Sequence, residues 1–354
     1  MTMNATTWTP AGAVTGLGSL PQTDAEAAVR YVSRACPQVP FWPQLPLRSY
    51  DERMIDQALA PLRPLVQPLE HAPWCYGLAA GVSLDQFLGA LAEAEPDLPA
   101  EAASGFYAFH HAAERGRFSQ ASALKGQLIG PVTLAQHLYR GKNRPFADHP
   151  QLIAALGRYL ARLGHWQLNQ LGQFDRPVVL FVDEPSLGSR LTPAGEAGIG
   201  PALSALSTLL AALRQAGAVA GLHCCAPPAD WSWLDEASPD LWAFDAYQDL
   251  VSFCSAEPAR RFAGSGGRVA YGLVPTGESL GGMTAESLFS RWLQAASVAG
   301  DVTTLARQSL VTARCGLGRV DPSAASATFS FAHRVSYLIS WIASGHHSMP
   351  KHSA

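Results

Sequence analysis

Eight short apolar segments alternate with amphipathic stretches along this chain, and the alternation strongly constrains its fold. Each segment has the length and apolar character of a strand that is buried on both faces of a sheet. Most of the stretches between them place apolar residues at the three-to-four-residue spacing of a helix. The eight segments are residues 12–20, 38–45, 123–130, 177–185, 218–225, 241–247, 268–275 and 309–318.

Eight buried strands that alternate with helices predict an α/β protein of the (β/α)8 TIM-barrel class. A doubly wound open sheet is the main alternative, and only the strand order separates the two. We predict a single domain over residues 1–354, with a helical insertion at residues 46–120 between the second and third strands. This insertion is expected to form a lid over the barrel mouth, and residues 345–354 a disordered tail.

The charge of the chain argues against polyanionic partners. The formal net charge is −3, and Lys and Arg form no run, so neither nucleic acid nor a membrane is an expected partner. The opening residues MTMNATTWTPAG do not resemble a signal peptide, and no apolar run is long enough to cross a bilayer. We therefore expect a cytoplasmic protein in which the six cysteines are mostly reduced.

Polar residues stand at the same end of several predicted strands. In a TIM barrel this end, the carboxyl end, carries the active site. The first strand ends in Gly18 and Ser19, and the sixth ends in Asp245. The fourth strand ends in Asp183 and Glu184, the fifth in the run His223–Cys225, and the eighth in Cys315.

His223 and Cys225 are two residues apart, so in a strand both side chains lie on one face and Cys224 on the other. Cys315 reaches the same region only if the barrel closes. One imidazole and two thiolates form a donor set for Zn²⁺, and a metal-bound thiol is deprotonated at neutral pH. The alternative is ordinary packing, since cysteine is a small residue that is often buried.

The acidic pair has a structural alternative as well. Asp183 and Glu184 precede a proline, and such pairs often cap a turn or a helix. Ser19 is equally consistent with the opening of a turn before the first helix.

Five ordered motifs resemble the catalytic C-terminal domain of cobalamin-independent methionine synthase. That domain belongs to a barrel superfamily shared with uroporphyrinogen decarboxylase. The resemblance covers essentially the whole chain and rests on TGLGSLPQT (15–23), KGQLIGPVT (125–133), FVDEP (181–185), HCC (223–225) and CGLG (315–318).

The resemblance implies a role for each matching residue. His223, Cys225 and Cys315 match zinc ligands of that family. Leu17, Gly18 and Ser19 match the segment that holds the homocysteine carboxylate, and Asp183 matches the residue that pairs with its amino group. We expect Glu184 to take part in substrate binding beside Asp183.

The chain departs from the family at the remaining positions. The fourth zinc ligand of the family is a glutamate at the end of the sixth strand, where this chain offers Asp245 or Tyr247 instead. The catalytic histidine expected after the seventh strand is missing, since YGLVPTGES (271–279) contains none. The folate-stacking tryptophan and the folate-binding glutamate are also absent, because LAQHLY and SLGSR occupy those places.

These features predict a zinc-dependent methyltransferase that acts on a thiol acceptor such as homocysteine. The lost folate contacts favour a non-folate donor, such as a methyl-corrinoid free or carried by a corrinoid protein. One alternative is a decarboxylase of the uroporphyrinogen kind, which needs arginines near the first strand ends; Arg30, Arg34 and Arg48 are nearby. Another is a relative that binds a corrinoid or a thiol without turnover.

Overall fold

Parallel strands form the centre of the molecule. A computed structural model of the chain describes residues 7–141, 144–190, 199–226, 231–276 and 282–346. The strands are β1 (Val66–Leu69), β2 (Ala72–Leu78), β3 (Leu124–Ile129), β4 (Leu138–Arg140), β5 (Arg144–Pro145), β6 (Val178–Asp183), β7 (Val219–Cys224), β8 (Leu241–Phe244), β9 (Arg268–Val274) and β10 (Ser309–Ala313).

Helices follow most of these strands. They are α1 (Ala25–Ala35), α2 (Met54–Leu59), α3 (Leu84–Glu93), α4 (Ser104–Glu114), α5 (Pro131–His137), α6 (Pro150–Leu171), α7 (Leu187–Arg190), α8 (Ile199–Gln215), α9 (Trp233–Ala237), α10 (Ala246–Ser255), α11 (Glu257–Gly264), α12 (Ala285–Ala299), α13 (Val302–Arg307) and α14 (Pro322–Ala343). Among the described helices, none combines the length and the hydropathy that a membrane span requires.

The main sheet is curled and has six parallel strands in the order β3-β6-β7-β8-β9-β10. Strands buried on both faces with helices between them are the arrangement that the sequence pattern predicts. The parallel α/β part of the prediction is therefore confirmed, whereas the count of eight strands is not.

The first two predicted strands, residues 12–20 and 38–45, form isolated bridges instead of ladders. Val14 pairs with Val311 of β10, Ser19 pairs with Gln44, and Phe41 pairs with Lys125 of β3. The two segments thus connect the edges of the six-stranded sheet. Prolines at 40, 43 and 46 lack the N–H group that a ladder requires, and this limits the pairing of the second segment.

Alternate residues of strands in the six-stranded sheet face two different apolar layers. In β6, Val178, Leu180 and Val182 pack in the layer that includes the helices, whereas Val179 and Phe181 pack in the inner cluster of the curled sheet. This alternation fixes the direction of every polar residue at the strand ends.

The predicted helical insertion at 46–120 also contains strands. β1 and β2 form an antiparallel hairpin, and β2 pairs in parallel with β4, which follows β3. The result is a separate four-stranded sheet of order β1-β2-β4-β5. Of the predicted tail, residues 347–354 lie outside the described residues.

Candidate metal and substrate site

A cavity of about 600 Å³ lies at the carboxyl ends of the strands. The insertion supplies one of its walls, with Glu52, Asp56 and Trp74 among the lining residues. Six of the nine residues predicted to form a site line the same cavity: Leu17, Ser19, Asp183, His223, Cys225 and Cys315.

Asp183 and His223 are partners in the register of β6 and β7. The His223 Nδ1–H donates a hydrogen bond of 2.9 Å to Asp183 Oδ1, and both residues are buried. The carboxylate therefore fixes the tautomer that leaves a lone pair on Nε2. This Nε2 is buried and has no hydrogen-bond partner among the described residues. A histidine held by a carboxylate through one nitrogen, with the other nitrogen unpaired, has the geometry of a metal ligand.

The alternation along β7 separates the two neighbouring cysteines. Cys224 is buried in the outer layer, where its thiol donates a hydrogen bond of 2.9 Å to the Ala226 carbonyl. Cys225 lies with His223 at the cavity. The structure thus places Cys224 away from the cavity, as the two-residue spacing predicts.

Cys225 and Cys315 meet from strands that are distant in the sequence. The Cys225 thiol donates a hydrogen bond to the Cys315 sulfur, and this bond lowers the pKa of the Cys315 thiol. The same hydrogen bond, together with burial, raises the pKa of Cys225. One sulfur of the pair is therefore predisposed to be a thiolate, the form that binds a metal.

The side chains at the cavity are of the types that bind zinc, but they do not form a complete set of ligands around one point. Within the described parts of the chain, no three His, Cys, Asp or Glu side chains lie in an arrangement that would hold a metal as they stand. The unpaired His223 Nε2 and the adjoining thiols are donors of the type that Zn²⁺ takes. Binding would require side-chain rotations within the cavity.

The CGLG turn packs directly on the first predicted strand. The Ser19 hydroxyl accepts a hydrogen bond of 3.2 Å from the Gly318 N–H. A Cβ atom on Gly316 would lie 2.3 Å from Ser19 Oγ, so a larger residue there would force the Ser19 hydroxyl to turn away. The turn therefore places Cys315 beside Ser19. Gly18 is in the same segment but does not line the cavity.

Glu184 does not reach the cavity. Its carboxylate is fully buried and caps the start of α5, accepting hydrogen bonds of 2.8 Å from the Val132 and Thr133 N–H groups and of 2.6 Å from Thr133 Oγ1. Burial raises the pKa of Glu184 to about 7, against the effect of these hydrogen bonds. Glu184 therefore makes a structural contact instead of the predicted contact with substrate. It is adjacent to Asp183 in the chain, so its side chain points away from the cavity that Asp183 lines.

Asp245 does not line the cavity either. It is the N-cap of α10, where its carboxylate accepts a hydrogen bond of 3.2 Å from the Gln248 N–H. Its other oxygen lies 3.5 Å from Arg314 Nε. The structure therefore does not bring Asp245 to the other predicted ligands.

Lys125 is a buried cation beneath the cavity that sequence reasoning did not single out. Its Nζ donates hydrogen bonds of 3.3 Å to the Leu17 carbonyl and 3.0 Å to Gln127 Oε1, and it lies 4.3 Å from the Phe181 ring centroid. Burial lowers its pKa to about 7, and the charge of Asp183 raises it. Lys125 therefore helps to fix the segment that contains Leu17.

This burial predicts a pH-dependent stability. Between the folded pKa of about 7 and the ordinary value of 10.5, the unfolded chain holds a proton that the folded chain lacks, so raising the pH stabilises the fold. We expect the unfolding free energy of the wild type minus that of Lys125→Met to increase over this range. The slope is at most about 1.4 kcal/mol per pH unit, and urea unfolding at several pH values measures it. A free-energy difference between wild type and Lys125→Met that does not change with pH would contradict the lowered pKa of Lys125.

His137 also lines the cavity, as do Arg53 and Arg319. None of these was predicted as a site residue. His137 lies in LAQHLY, the stretch that follows GPVT. The sequence comparison gave one expectation for this stretch, that it lacks the tryptophan of the family. Arg53 lies in the insertion, whose fold has no simple periodicity to reveal which residues face the cavity.

No protein-family model matches this chain, and no curated protein matches it. Among solved structures, 39 chains match. One is a B12-independent methionine synthase from Shewanella sp. W3-18-1 in complex with selenomethionine, with 16% identity, a TM-score of 0.45 and coverage of 65% of this chain and 66% of that one.

Another is a GH138 enzyme that targets pectin rhamnogalacturonan II, with 12% identity, a TM-score of 0.42 and coverage of 96% of this chain and 38% of that one. The chain spans less than two thirds of the length of either protein. At these identities the similarity concerns the coarse fold alone.

Proposed function

We propose that this chain is a zinc-dependent methyltransferase that moves a methyl group onto the sulfur of a homocysteine-like thiol. The observation that carries the proposal is the convergence of His223, Cys225 and Cys315 on one cavity, with the His223 Nε2 buried and unpaired. Three such donors leave a fourth position for a substrate, which is the pattern of catalytic zinc sites.

His223, Cys225 and Cys315 would hold the metal. When bound, zinc would lower the pKa of the acceptor thiol, so that sulfur becomes a nucleophile at neutral pH. Asp183 would hold His223 in the orientation needed for binding, since it already accepts the Nδ1–H. This contact leaves Asp183 less available for the acceptor amino group that the family resemblance implies.

Methyl transfer requires in-line approach of sulfur to the methyl carbon, so positioning is the main contribution of the protein. The wall formed by the insertion would exclude water and hold the donor. Ser19 and Leu17 would orient the acceptor from the opposite side. The absence of the folate-stacking tryptophan supports a non-folate donor such as a methyl-corrinoid. The proposal includes closure of an eight-stranded barrel through residues 12–20 and 38–45, supported by the three bridges of these segments.

The test is metal content together with methyl transfer. Protein purified without chelators is expected to contain about one equivalent of zinc by elemental analysis. With homocysteine and methylcobalamin it is expected to form methionine, and removal of zinc is expected to abolish the reaction. Zinc far below one equivalent that does not rise on zinc addition would contradict the metal site. Binding of both compounds without methionine would favour a binding protein.

Two cavity residues favour a second candidate, a decarboxylase of the uroporphyrinogen kind. Arg53 and Arg319 line the cavity and are suited to bind substrate carboxylates. Turnover of a porphyrinogen without any thiol methylation would establish this alternative in place of the first.

A further inference from the structure

His137 is the last residue of α5, and its ring lines the same cavity as Cys225 and Cys315. Its Nδ1 lies 2.8 Å from the Thr133 carbonyl oxygen. Because a carbonyl only accepts hydrogen bonds, Nδ1 carries the proton and donates it. In the neutral ring Nε2 then keeps a lone pair, as a proton acceptor requires.

The anchor of this ring is itself held firmly. The N–H and the hydroxyl of Thr133 both donate to Glu184 Oε2, at 2.8 Å and 2.6 Å. Glu184 thus fixes the residue whose carbonyl orients His137. A base held by a rigid partner is pre-organised for proton transfer.

The other histidine that lines this cavity in the described chain is His223. Its Nδ1–H is bound to Asp183, and its Nε2 is the nitrogen assigned to the metal. His223 therefore has no nitrogen left for proton transfer. The segment after the seventh predicted strand, residues 271–279, contains no histidine to do so.

We propose that His137 is the base that takes the proton of the acceptor thiol, a role that rests on the proposed function. The S–H bond breaks, an N–H bond forms at His137 Nε2, and the electron pair remains on sulfur. That pair then forms the bond to the methyl carbon as the bond between methyl and donor breaks, with its electrons leaving on the donor. The imidazolium finally releases the proton to water.

The test counts protons when homocysteine binds to the zinc-supplemented protein. Calorimetry in two buffers of different ionisation enthalpy gives the number released, at about pH 7.5, where a thiol of pKa about 8.5 is mostly protonated. The wild type is expected to release well under one proton, because the thiolate that forms beside His137 favours the imidazolium. His137→Asn, whose amide can still donate to the Thr133 carbonyl, is expected to release about one more.

The matched control is His165→Gln. His165 is part-buried, bonds a backbone carbonyl through Nε2 at 3.2 Å from Ala212, and does not line the cavity. This variant is expected to behave as the wild type. His137→Asn is also expected to lower kcat about 100-fold or more with little change in the thiol KM.

Two outcomes separate the two proposals. Equal proton release by the wild type and His137→Asn, with homocysteine bound by both, would overturn the role of His137 and leave the proposed function intact. Failure of the wild type to bind homocysteine would overturn the proposed function itself. His137→Gln serves the same comparison if the asparagine variant does not fold.

Discussion

Replacing Cys315 by serine is expected to lower zinc affinity by more than about 100-fold and to abolish methyl transfer. Loss of a partner that only orients a ligand already costs about 10- to 100-fold, and loss of the ligand itself costs more. A serine hydroxyl also stays protonated and is a poor zinc donor. The thiol that hydrogen-bonds to Cys225 disappears as well. Zinc titration in competition with a chromogenic chelator measures the change in affinity.

Cys224→Ser is the matched control for this experiment. Cys224 adjoins the proposed ligand Cys225 but lies in the outer layer, and a serine there can still donate to the Ala226 carbonyl. We expect this variant to retain zinc and activity. If Cys224→Ser lost zinc, the choice of Cys225 over Cys224 by strand alternation would be wrong.

Glu184→Ala is expected to produce the largest loss of stability among these variants, about 3–5 kcal/mol of unfolding free energy. The Val132 and Thr133 N–H groups and the Thr133 hydroxyl would all lose their buried acceptor. Chemical denaturation measures the change. Glu93→Ala, at an exposed position of α3, is the control and is expected to change stability by less than about 0.5 kcal/mol.

This variant also separates two interpretations of the acidic pair. If Glu184 were a substrate ligand, its removal would weaken homocysteine binding and leave unfolding nearly unchanged. If Glu184 caps α5, its removal lowers the unfolding free energy. Homocysteine binding then changes only through the displacement of Thr133 and His137.

The direction of the side chains at the strand ends could be predicted from the sequence, and for His223, Cys224 and Cys225 the spacing predicts it correctly. The spacing of His223 and Cys225 placed both on the inner face and Cys224 on the outer one. The same rule applies to Asp183 and Glu184, which are adjacent and cannot both face the cavity. Applied there, it would have excluded Glu184 from the substrate site.

Asp245 carries a local sequence signal of its structural role as a helix cap. It is followed three residues later by Gln248, the spacing of a helix cap, and the structure shows that cap. The wall contributed by the insertion is different. Trp74 reaches the cavity through a hairpin that pairs with β4, a long-range contact that no local pattern reveals.

The pairing of β2 with β4 connects the strand that bears Trp74 to the residues that follow His137. Tyr76 and Gly77 of β2 pair with Leu138 and Tyr139, and Leu138 directly follows His137. Because the two strands are hydrogen-bonded, a displacement of the strand that bears Trp74 would also displace the residues that follow α5. If His137 is the base, entry of a donor past Trp74 would therefore also change the position of the base.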